Sequence, residues 1–234
     1  MRFLVVQHEE KAGLGSFAGV FAERGVEVDV WRPSAGEPLP RPLEVYDGVV
    51  SLGSFAEPDR PDAHPWLDDV VAVSRRAVAE RVPLLGVCLG AQMLAGAAGA
   101  EVGPVGRPAF GWEALEVTPE AEGDPLFGDL APDARALVWQ QFGFRAPAAA
   151  TLLARTEAAD QAFRLGERAW AVQYHPEVDA DELRRWAEAS GDELDEAGID
   201  RERLLAESER RLPGYVEAAR ALAHRFVDEA ARGA

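Results

Sequence analysis

The chain has 234 residues, of which 47% are hydrophobic and 28% are charged, so it is long enough to bury one sizeable core. It has 24 basic residues against 41 acidic ones, and the formal net charge of -17 argues against nucleic acid or an acidic membrane surface as a partner. A single cysteine excludes an internal disulfide, and no apolar run reaches the roughly 18 residues of a membrane span. Because the first residues also lack a signal-peptide core, the sequence predicts a cytoplasmic protein.

Short apolar, β-branched runs alternate with helical stretches in the first part of the chain. The runs that have the length of buried parallel strands are residues 3–6, 26–30, 48–52 and 84–87. Residues 16–24 and 66–81 carry apolar side chains at three- and four-residue spacing, which indicates helices. This alternation predicts an α/β fold with a doubly wound, mostly parallel sheet flanked by helices.

The pattern changes after about residue 100 to short extended runs, which predict a small antiparallel extension of the sheet. These runs are residues 112–117, 136–139, 151–154, 161–165 and 169–173, with a hairpin expected at Gly166-Glu167. Polar helices are predicted at 181–190, 201–211 and 215–231, the last two separated by Pro213-Gly214. We therefore expect one domain over residues 1–178 and a C-terminal helical extension, residues 179–234, packed on it.

The segment around Cys88 has the pattern of a nucleophile at a sharp turn. An apolar strand runs directly into the cysteine, and an Ala- and Leu-rich helix follows it. Gly86 and Gly90 flank Cys88 where larger side chains would collide with the crossing backbone. Unpaired amides at the start of the helix would stabilise a thiolate. The alternative is that Cys88 is a buried small hydrophobic residue, which is the usual environment of a free cysteine.

A second segment supplies candidates for a base and the acid that orients it. His175 and Glu177 lie two residues apart at the end of a predicted strand, where an extended backbone places both side chains on one face. A carboxylate beside an imidazole fixes its tautomer and stabilises the imidazolium, as a Cys-His-acid nucleophile system requires. The alternative is a strand-end histidine with a solvated glutamate beside it.

Together, these two segments carry a family resemblance. Residues 86–92, Gly-Val-Cys-Leu-Gly-Ala-Gln, and residues 173–177, Gln-Tyr-His-Pro-Glu, resemble those of the class I (triad) glutamine amidotransferases. The similarity is greatest to the glutaminase domain of GMP synthase and its stand-alone bacterial homologues, and it covers residues 1 to about 178. The resemblance implies a flavodoxin-like three-layer fold and an enzyme that needs no cofactor and no metal.

The resemblance also implies a role for individual residues. Cys88 would attack the side-chain amide of glutamine to form a γ-glutamyl thioester, His175 would move protons, and Glu177 would orient His175. The backbone amide of Leu89 and one from the loop after the third strand, at Gly53 and Ser54, would hold the oxyanion. Gln92 would help to bind the substrate. An ammonia acceptor on a synthetase subunit is the implied partner.

Several positions depart from the pattern of the relatives. Ser54 and Phe55 replace the second Gly and the Pro of a Gly-Gly-Pro loop, and Ala109 replaces a common acidic residue. A Trp-His-x-Asp motif aligns with Gln140 at the His and Phe142 at the Asp. These changes leave two alternatives to a glutaminase: a γ-glutamyl hydrolase acting on a γ-glutamyl amine or peptide, and a catalytically silent binding protein with this fold.

Other motifs carry less weight. Residues 13–18 imitate a dinucleotide-binding fingerprint, but Gly13 does not directly follow the predicted strand. The four histidines have no metal-ligand spacing with each other or with Cys88, and no phosphate-binding loop occurs. Any ATP-dependent transfer of ammonia would therefore lie on another chain. The helical extension either packs its apolar face on the sheet, or docks a synthetase partner or caps the active site.

Overall fold

The computed structural model describes residues 1–233 as a mainly parallel sheet covered by helices on both faces; Ala234, the last residue of the predicted extension, lies outside that range. Eight strands form the main sheet, in the order β2-β1-β3-β4-β10-β9-β8-β6. They are β1 (Arg2–Val6), β2 (Glu27–Trp31), β3 (Gly48–Ser51), β4 (Leu84–Val87), β6 (Glu116–Val117), β8 (Ala150–Arg155), β9 (Asp160–Leu165) and β10 (Ala169–Val172). The first five strands in this order are parallel, and the last three add the predicted antiparallel extension.

Helices cover both faces of this sheet. They are α1 (Ser16–Glu23), α2 (Leu67–Glu80), α3 (Leu89–Ala97), α4 (Ala180–Ala189), α5 (Gly191–Glu196) and α6 (Arg201–Ala231). Along β1, Phe3 and Val5 belong to the apolar cluster that includes residues of α1 and α6, whereas Leu4 and Val6 belong to the cluster on the α2 and α3 side. Because successive strand residues point to opposite faces, this alternation places one apolar core on each side of the sheet. The predicted doubly wound α/β architecture is confirmed.

Most of the two predicted runs 112–117 and 136–139 lies outside the main sheet. The strands β5 (Val102–Ala114) and β7 (Arg135–Phe144) pair with each other in a separate antiparallel ribbon. The prediction that runs 112–117 and 136–139 extend the main sheet is therefore largely wrong, since only the two residues of β6 join it. The physical reason is a third apolar cluster, in which Phe110 and Trp139 of the ribbon pack with Trp186 of α4.

The last helix is continuous, although two helices were expected. Helix α6 runs from Arg201 to Ala231 with Pro213 inside it. A proline in a helix interior costs about 3 kcal/mol, because it removes one hydrogen bond and crowds the preceding turn. Here Leu212 is buried in the third apolar cluster, and the Tyr215 hydroxyl donates to the carbonyl of His175 at 2.9 Å. Tertiary contacts on both sides of Pro213 therefore stabilise a continuous helix in spite of the proline.

The C-terminal helices contact the first helix as well as the sheet. Arg220 and Asp228 of α6 pair with Glu23 at 2.8 Å and with Arg24 at 2.6 Å, respectively. No helix within residues 1–233 is both long and apolar enough to span a membrane. The cytoplasmic location stays a prediction.

The register of the parallel strands determines where the loops meet. Val87 at the end of β4 pairs with Val172 at the end of β10, and Ser51 at the end of β3 pairs with Gly86. The carboxyl ends of three neighbouring strands therefore lie at one edge of the sheet. In open α/β sheets this edge is where ligands bind.

Candidate active site

Cys88 occupies a strained turn between β4 and α3. Its backbone has φ 50° and ψ -107°, a left-handed conformation that a residue with a side chain rarely adopts. A Cβ atom on Gly86 would lie 2.6 Å from the carbonyl oxygen of Gly90, and one on Gly90 would lie 2.1 Å from that of Ser51. Both glycines are thus required by close backbone approach. The turn has the geometry of a nucleophile elbow.

His175 and Glu177 lie in the loop that follows β10. The imidazole Nδ1 and Glu177 Oε1 are 2.8 Å apart, and both side chains are buried. The backbone of His175 is fixed on both sides, because its amide donates to the carbonyl of Leu137 at 2.9 Å and its carbonyl accepts from Tyr215. Glu177 therefore contacts an imidazole whose position is set by two other elements.

Gly53 brings the loop after β3 against both Cys88 and His175. A Cβ atom on Gly53 would lie 3.1 Å from Cε1 of His175 and 3.3 Å from Cβ of Cys88. Burial alone would lower the pKa of His175, but the neighbouring charges of Glu177 and Cys88 and the hydrogen bond to Glu177 outweigh it and raise that pKa above its ordinary value. The imidazolium is thus favoured next to the sulfur atom.

The candidate oxyanion amides lie at the start of α3 and in the loop after β3. Leu89 is the first residue of α3, so its amide has no acceptor within the helix. The next amide, that of Gly90, is engaged by the carbonyl of Leu52 at 3.1 Å. Gly53 lies beside Cys88, as described above, and Ser54 follows it. The sequence-predicted pair of Leu89 with Gly53 or Ser54 is therefore close to the nucleophile.

Glu9, from the loop after β1, holds the loop after β3 by hydrogen bonds and is a residue that the sequence did not single out. Its Oε1 accepts hydrogen bonds from the Ser54 hydroxyl at 2.6 Å and from the Phe55 amide at 2.7 Å. The Ser54 hydroxyl also accepts from the Ala56 amide at 3.0 Å. The two residues that replace Gly and Pro in this loop thus have a defined structural use. An acidic residue just after the first strand was the only sequence signal.

Gln92 connects to Cys88 through a second glutamine. Its Nε2 donates to Gln173 Oε1 and to the carbonyl of Phe142, both at 3.1 Å. Gln173 Nε2 in turn lies 3.7 Å from the sulfur of Cys88. Gln173 was part of the recognised motif but was not predicted as a site residue.

Cys88 opens into a cavity of about 340 Å³, at the small end of the roughly 300–1,000 Å³ range of small-molecule sites. Its walls come from the loop after β3, from β5, β7 and α3, and from α5 of the C-terminal extension. The lining residues are Ser54, Phe55, Ala56, Glu57, His64, Cys88, Gln92, Phe110, Trp139, Gln140, Gln141, Phe142 and Glu193. Gln140 and Phe142 therefore border the same space as Cys88.

Ala109 and Glu193 take different positions relative to this cavity. Ala109 is paired with Gln140 in the ribbon and is not among the residues that line this cavity. Glu193 lines this cavity, although no sequence pattern distinguishes it from the other acidic residues of the extension. A larger groove of about 780 Å³ runs along α6 and does not include Cys88. Within residues 1–233, no group of three or more His, Cys, Asp or Glu side chains is arranged to hold a metal ion.

A family model described as Glutamine amidotransferase class-I matches residues 16–186, well over half of the chain. The chain belongs to this family. Class I glutamine amidotransferases are enzymes that hydrolyse the side-chain amide of glutamine. The resemblance found in the two sequence motifs is thereby confirmed.

Solved structures of other amidotransferases share the whole fold. A glutamine amidotransferase from Thermotoga maritima is 31% identical, with a TM-score of 0.89 over 97% of this chain and 98% of that one. One from Methylobacillus flagellatus is 26% identical, with a TM-score of 0.86 over 97% of this chain and 94% of that one. The C-terminal helices therefore belong to the region shared with these proteins.

Curated relatives carry two kinds of name. A glutamine-hydrolysing GMP synthase from Christiangramia forsetii is 32% identical over 146 residues, which are 60% of this chain and 26% of that protein. Gamma-glutamyl peptidase 5 from Arabidopsis thaliana is 28% identical over 173 residues, which are 71% of this chain and 68% of that protein. The amidotransferase thus spans about a quarter of the length of the GMP synthase it matches.

Proposed function

We propose that this amidotransferase releases ammonia from the side-chain amide of glutamine, with Cys88 as nucleophile, His175 as acid and base, and Glu177 as the group that orients His175. One observation carries the proposal: the loop at Gly53 lies against both Cys88 and His175, whose imidazole is 2.8 Å from Glu177. These three side chains come from two different loops at one sheet edge. Their arrangement fits the requirements of covalent acyl transfer.

In the first half of the reaction, the Cys88 thiolate attacks the γ-carbonyl carbon of glutamine. The C–N bond breaks as protonated His175 gives its proton to the leaving nitrogen, so ammonia departs and a γ-glutamyl thioester remains. In the second half, a water molecule attacks the thioester while His175 takes its proton. Glutamate leaves and the Cys88 thiolate is restored. The charge of Glu177 stabilises the imidazolium form of His175 that the first half needs.

The backbone amides near Cys88 supply the electrostatic part of the mechanism. We propose that the amide of Leu89 and an amide at Gly53 or Ser54 donate to the oxyanion that forms at the γ-carbonyl. Glu9 supports the second donor by holding Ser54 and Phe55. We assign substrate binding to Gln92, which lines the cavity and is linked to Cys88 through Gln173.

We propose that a synthetase on another chain consumes the ammonia. The matched relatives that support this are GMP synthases described as glutamine-hydrolysing, of which the chain spans only a part. The net charge of -17 gives this amidotransferase a strongly acidic surface. A docking partner should therefore offer a basic one.

A second candidate function is hydrolysis of a γ-glutamyl peptide or amine. It is favoured by the similarity to a gamma-glutamyl peptidase, of which this chain covers 68%. It uses the same thioester chemistry, with an amine in place of ammonia as the leaving group. The two candidates differ only in what is attached to the γ-carbonyl.

We also propose that residues 179–234 are an extension of the domain formed by residues 1–178. Support comes from the packing of Trp186 and Leu212 in a cluster shared with the β5–β7 ribbon, and from Glu193 in the wall of the Cys88 cavity. In this proposal the extension both packs on the domain and closes one side of its active site.

The decisive experiment measures ammonia release from L-glutamine by the purified chain and by its Cys88→Ala variant. We expect the substitution to reduce the rate at least about a thousand-fold, because it removes the nucleophile. The glutamine analogue 6-diazo-5-oxo-norleucine should label Cys88 stoichiometrically, as detected by mass spectrometry of the intact protein. Undiminished ammonia release by Cys88→Ala would overturn the proposal, and complete failure of labelling would favour a silent binding protein.

A substrate panel separates the two enzymatic candidates. Rates with L-glutamine, γ-glutamyl dipeptides and γ-glutamyl amines are compared as kcat/KM under identical conditions. If kcat/KM is clearly highest for L-glutamine, the second candidate function is ruled out. If kcat/KM for a γ-glutamyl peptide or amine exceeds that for L-glutamine by tenfold or more, γ-glutamyl hydrolysis replaces glutaminase activity as the proposed function.

A further inference from the structure

Glu193 is the residue of the C-terminal extension that reaches the Cys88 cavity with a carboxylate. It lies in the first turn of α5 and lines the cavity together with Cys88 and Gln92. Its side chain is half-buried, and its Oε1 accepts a hydrogen bond from Gln141 Nε2 at 3.4 Å. Both residues of this hydrogen bond are part of the cavity wall, so the carboxylate is held at the edge of the space where a substrate would sit.

The charges that line the cavity are predominantly negative. Two carboxylates, Glu57 and Glu193, are among the lining residues, and no arginine or lysine is. The remaining ionisable groups in the wall are His64 and Cys88 itself. The cavity is therefore suited to a ligand that carries a positive charge away from its reacting end.

The two carboxylates differ in their surroundings. Glu57 is exposed and lies 3.8 Å from the guanidinium of Arg60, which screens its charge from a ligand. Glu193 is less exposed, and its hydrogen-bond partner is the neutral amide of Gln141. A hydrogen bond to an amide leaves the full negative charge of Glu193 for a cation in the cavity. Of the two, Glu193 is thus the better partner for a substrate ammonium.

Glutamine and γ-glutamyl compounds carry an ammonium at the end remote from the amide. When the γ-carbonyl lies at Cys88, this α-ammonium must leave bulk water inside the same cavity, which costs free energy unless it gains a charged partner. We propose that Glu193 binds the α-ammonium group of the substrate and so selects L-γ-glutamyl compounds with a free α-amino group. This inference rests on the proposed function and adds to it a specificity-determining residue from the C-terminal extension.

The test compares Glu193→Gln with Asp192→Asn. Asp192 is the matched control, because it lies in the same first turn of α5, is exposed and does not line the cavity. Each substitution removes one negative charge from that turn, so effects of charge on the helix are equal in the two variants. Glutamine at position 193 can still form a hydrogen bond with Gln141, which limits any change to the fold.

Each variant is assayed with L-glutamine and with glutaramate, the analogue that lacks the α-amino group. For Glu193→Gln we expect KM for L-glutamine to rise on the order of ten- to a hundredfold, because the loss of one hydrogen bond to a charged group weakens binding by about that factor. We expect kcat to change little. Its kcat/KM for glutaramate should equal that of the unsubstituted chain. Asp192→Asn should leave KM and kcat unchanged for both substrates. Equal losses with both substrates, or no loss with L-glutamine, would overturn the assignment of Glu193.

Binding in an inactive background gives an answer that does not require turnover. Calorimetry measures the Kd of L-glutamine for Cys88→Ala and for the Cys88→Ala, Glu193→Gln double variant. A Kd at least tenfold weaker in the double variant supports the assignment even if the unsubstituted chain releases no ammonia, in which case only the proposed function fails. Equal Kd values, or no binding of L-glutamine by Cys88→Ala, would rule the assignment out.

Discussion

The indole of Trp186 lies edge-on against the imidazole of His175, with ring centroids 4.6 Å apart and an interplanar angle of 76°. Trp186 belongs to α4 of the C-terminal extension, and it also makes an edge contact with Trp139 in the wall of the Cys88 cavity. Glu177 contacts the Nδ1 atom of the same imidazole. The extension therefore supplies one of the surfaces that hold the candidate catalytic base in place.

We predict that Trp186→Ala destabilises the chain and reduces ammonia release. The side chain is 4% exposed, so its removal leaves a cavity beside His175 and should lower the free energy of unfolding by about 3–5 kcal/mol. Urea unfolding measures the first effect, and kcat for L-glutamine measures the second.

A milder pair of variants separates positioning of His175 from general stability. Trp186→Phe keeps an aromatic edge near His175, whereas Trp31→Phe changes another buried tryptophan, in β2. We expect kcat to fall in Trp186→Phe by several-fold and to stay unchanged in Trp31→Phe. Equal changes in kcat for the two variants would mean that Trp186 acts only through stability.

We predict that Glu9 positions the oxyanion loop. Glu9→Ala removes the acceptor of the Ser54 hydroxyl and the Phe55 amide, each a charge-assisted hydrogen bond. Because the loop then loses its anchor, kcat should fall roughly ten- to a hundredfold while KM changes little, the pattern of a transition-state interaction. Steady-state kinetics with L-glutamine provides both constants.

Two further variants check this interpretation of Glu9. Glu9→Gln keeps an oxygen acceptor without the charge, so it should restore a substantial part of kcat. Glu10→Ala changes the exposed neighbouring acid and should have no effect. A loss that is equal in Glu9→Ala and Glu10→Ala would argue for long-range charge and against positioning of the loop.

The fold and the Cys88 turn were predictable because their signals are local. The parallel strands are continuous apolar runs, and Gly86 and Gly90 each lie two residues from Cys88, although the backbone that Gly90 approaches belongs to the distant Ser51. The two-residue separation of His175 and Glu177 also predicts that their side chains are close, although the structure places both in the loop after β10 and not on the strand itself. Each of these sequence signals spans only a few residues, even where the contact in the folded chain involves a distant residue.

The supporting residues were not predictable because their partners are distant in the sequence. Glu9 contacts residues of the loop after β3, and Trp186 reaches His175 only because α4 folds back over the β5–β7 ribbon. In the sequence Gly-Asp-Glu-Leu-Asp-Glu of α5, nothing distinguishes Glu193 from its acidic neighbours. The helix break predicted at Pro213 is absent for the same reason. The tertiary contacts of Leu212 and Tyr215 keep α6 continuous, and neither contact is visible in the local sequence.

We predict that Glu182 makes stability fall as the pH rises. Its carboxyl is buried under the loop before α1, where Oε1 accepts from the Gly13 amide at 3.3 Å. Burial raises the pKa of Glu182 from 4.5 to about 7, and the charges of Glu177 and Asp179 add to this rise. Because the folded pKa exceeds the unfolded one, this stabilising contribution is complete below pH 4.5 and is lost as the pH rises through 7.

Glu182→Gln tests this, because the amide is neutral at every pH. Relative to the unsubstituted chain, the variant should gain stability between pH 4 and pH 9, on the order of 3 kcal/mol at about 1.4 kcal/mol for each unit of pKa difference. Urea unfolding at a series of pH values measures the difference, and comparison within each pH cancels the titration of other groups. Glu188→Gln, an exposed position on the same helix, is the control and should show a constant difference. The same flat difference for Glu182→Gln would show that folding does not raise the pKa of Glu182, and would contradict the prediction.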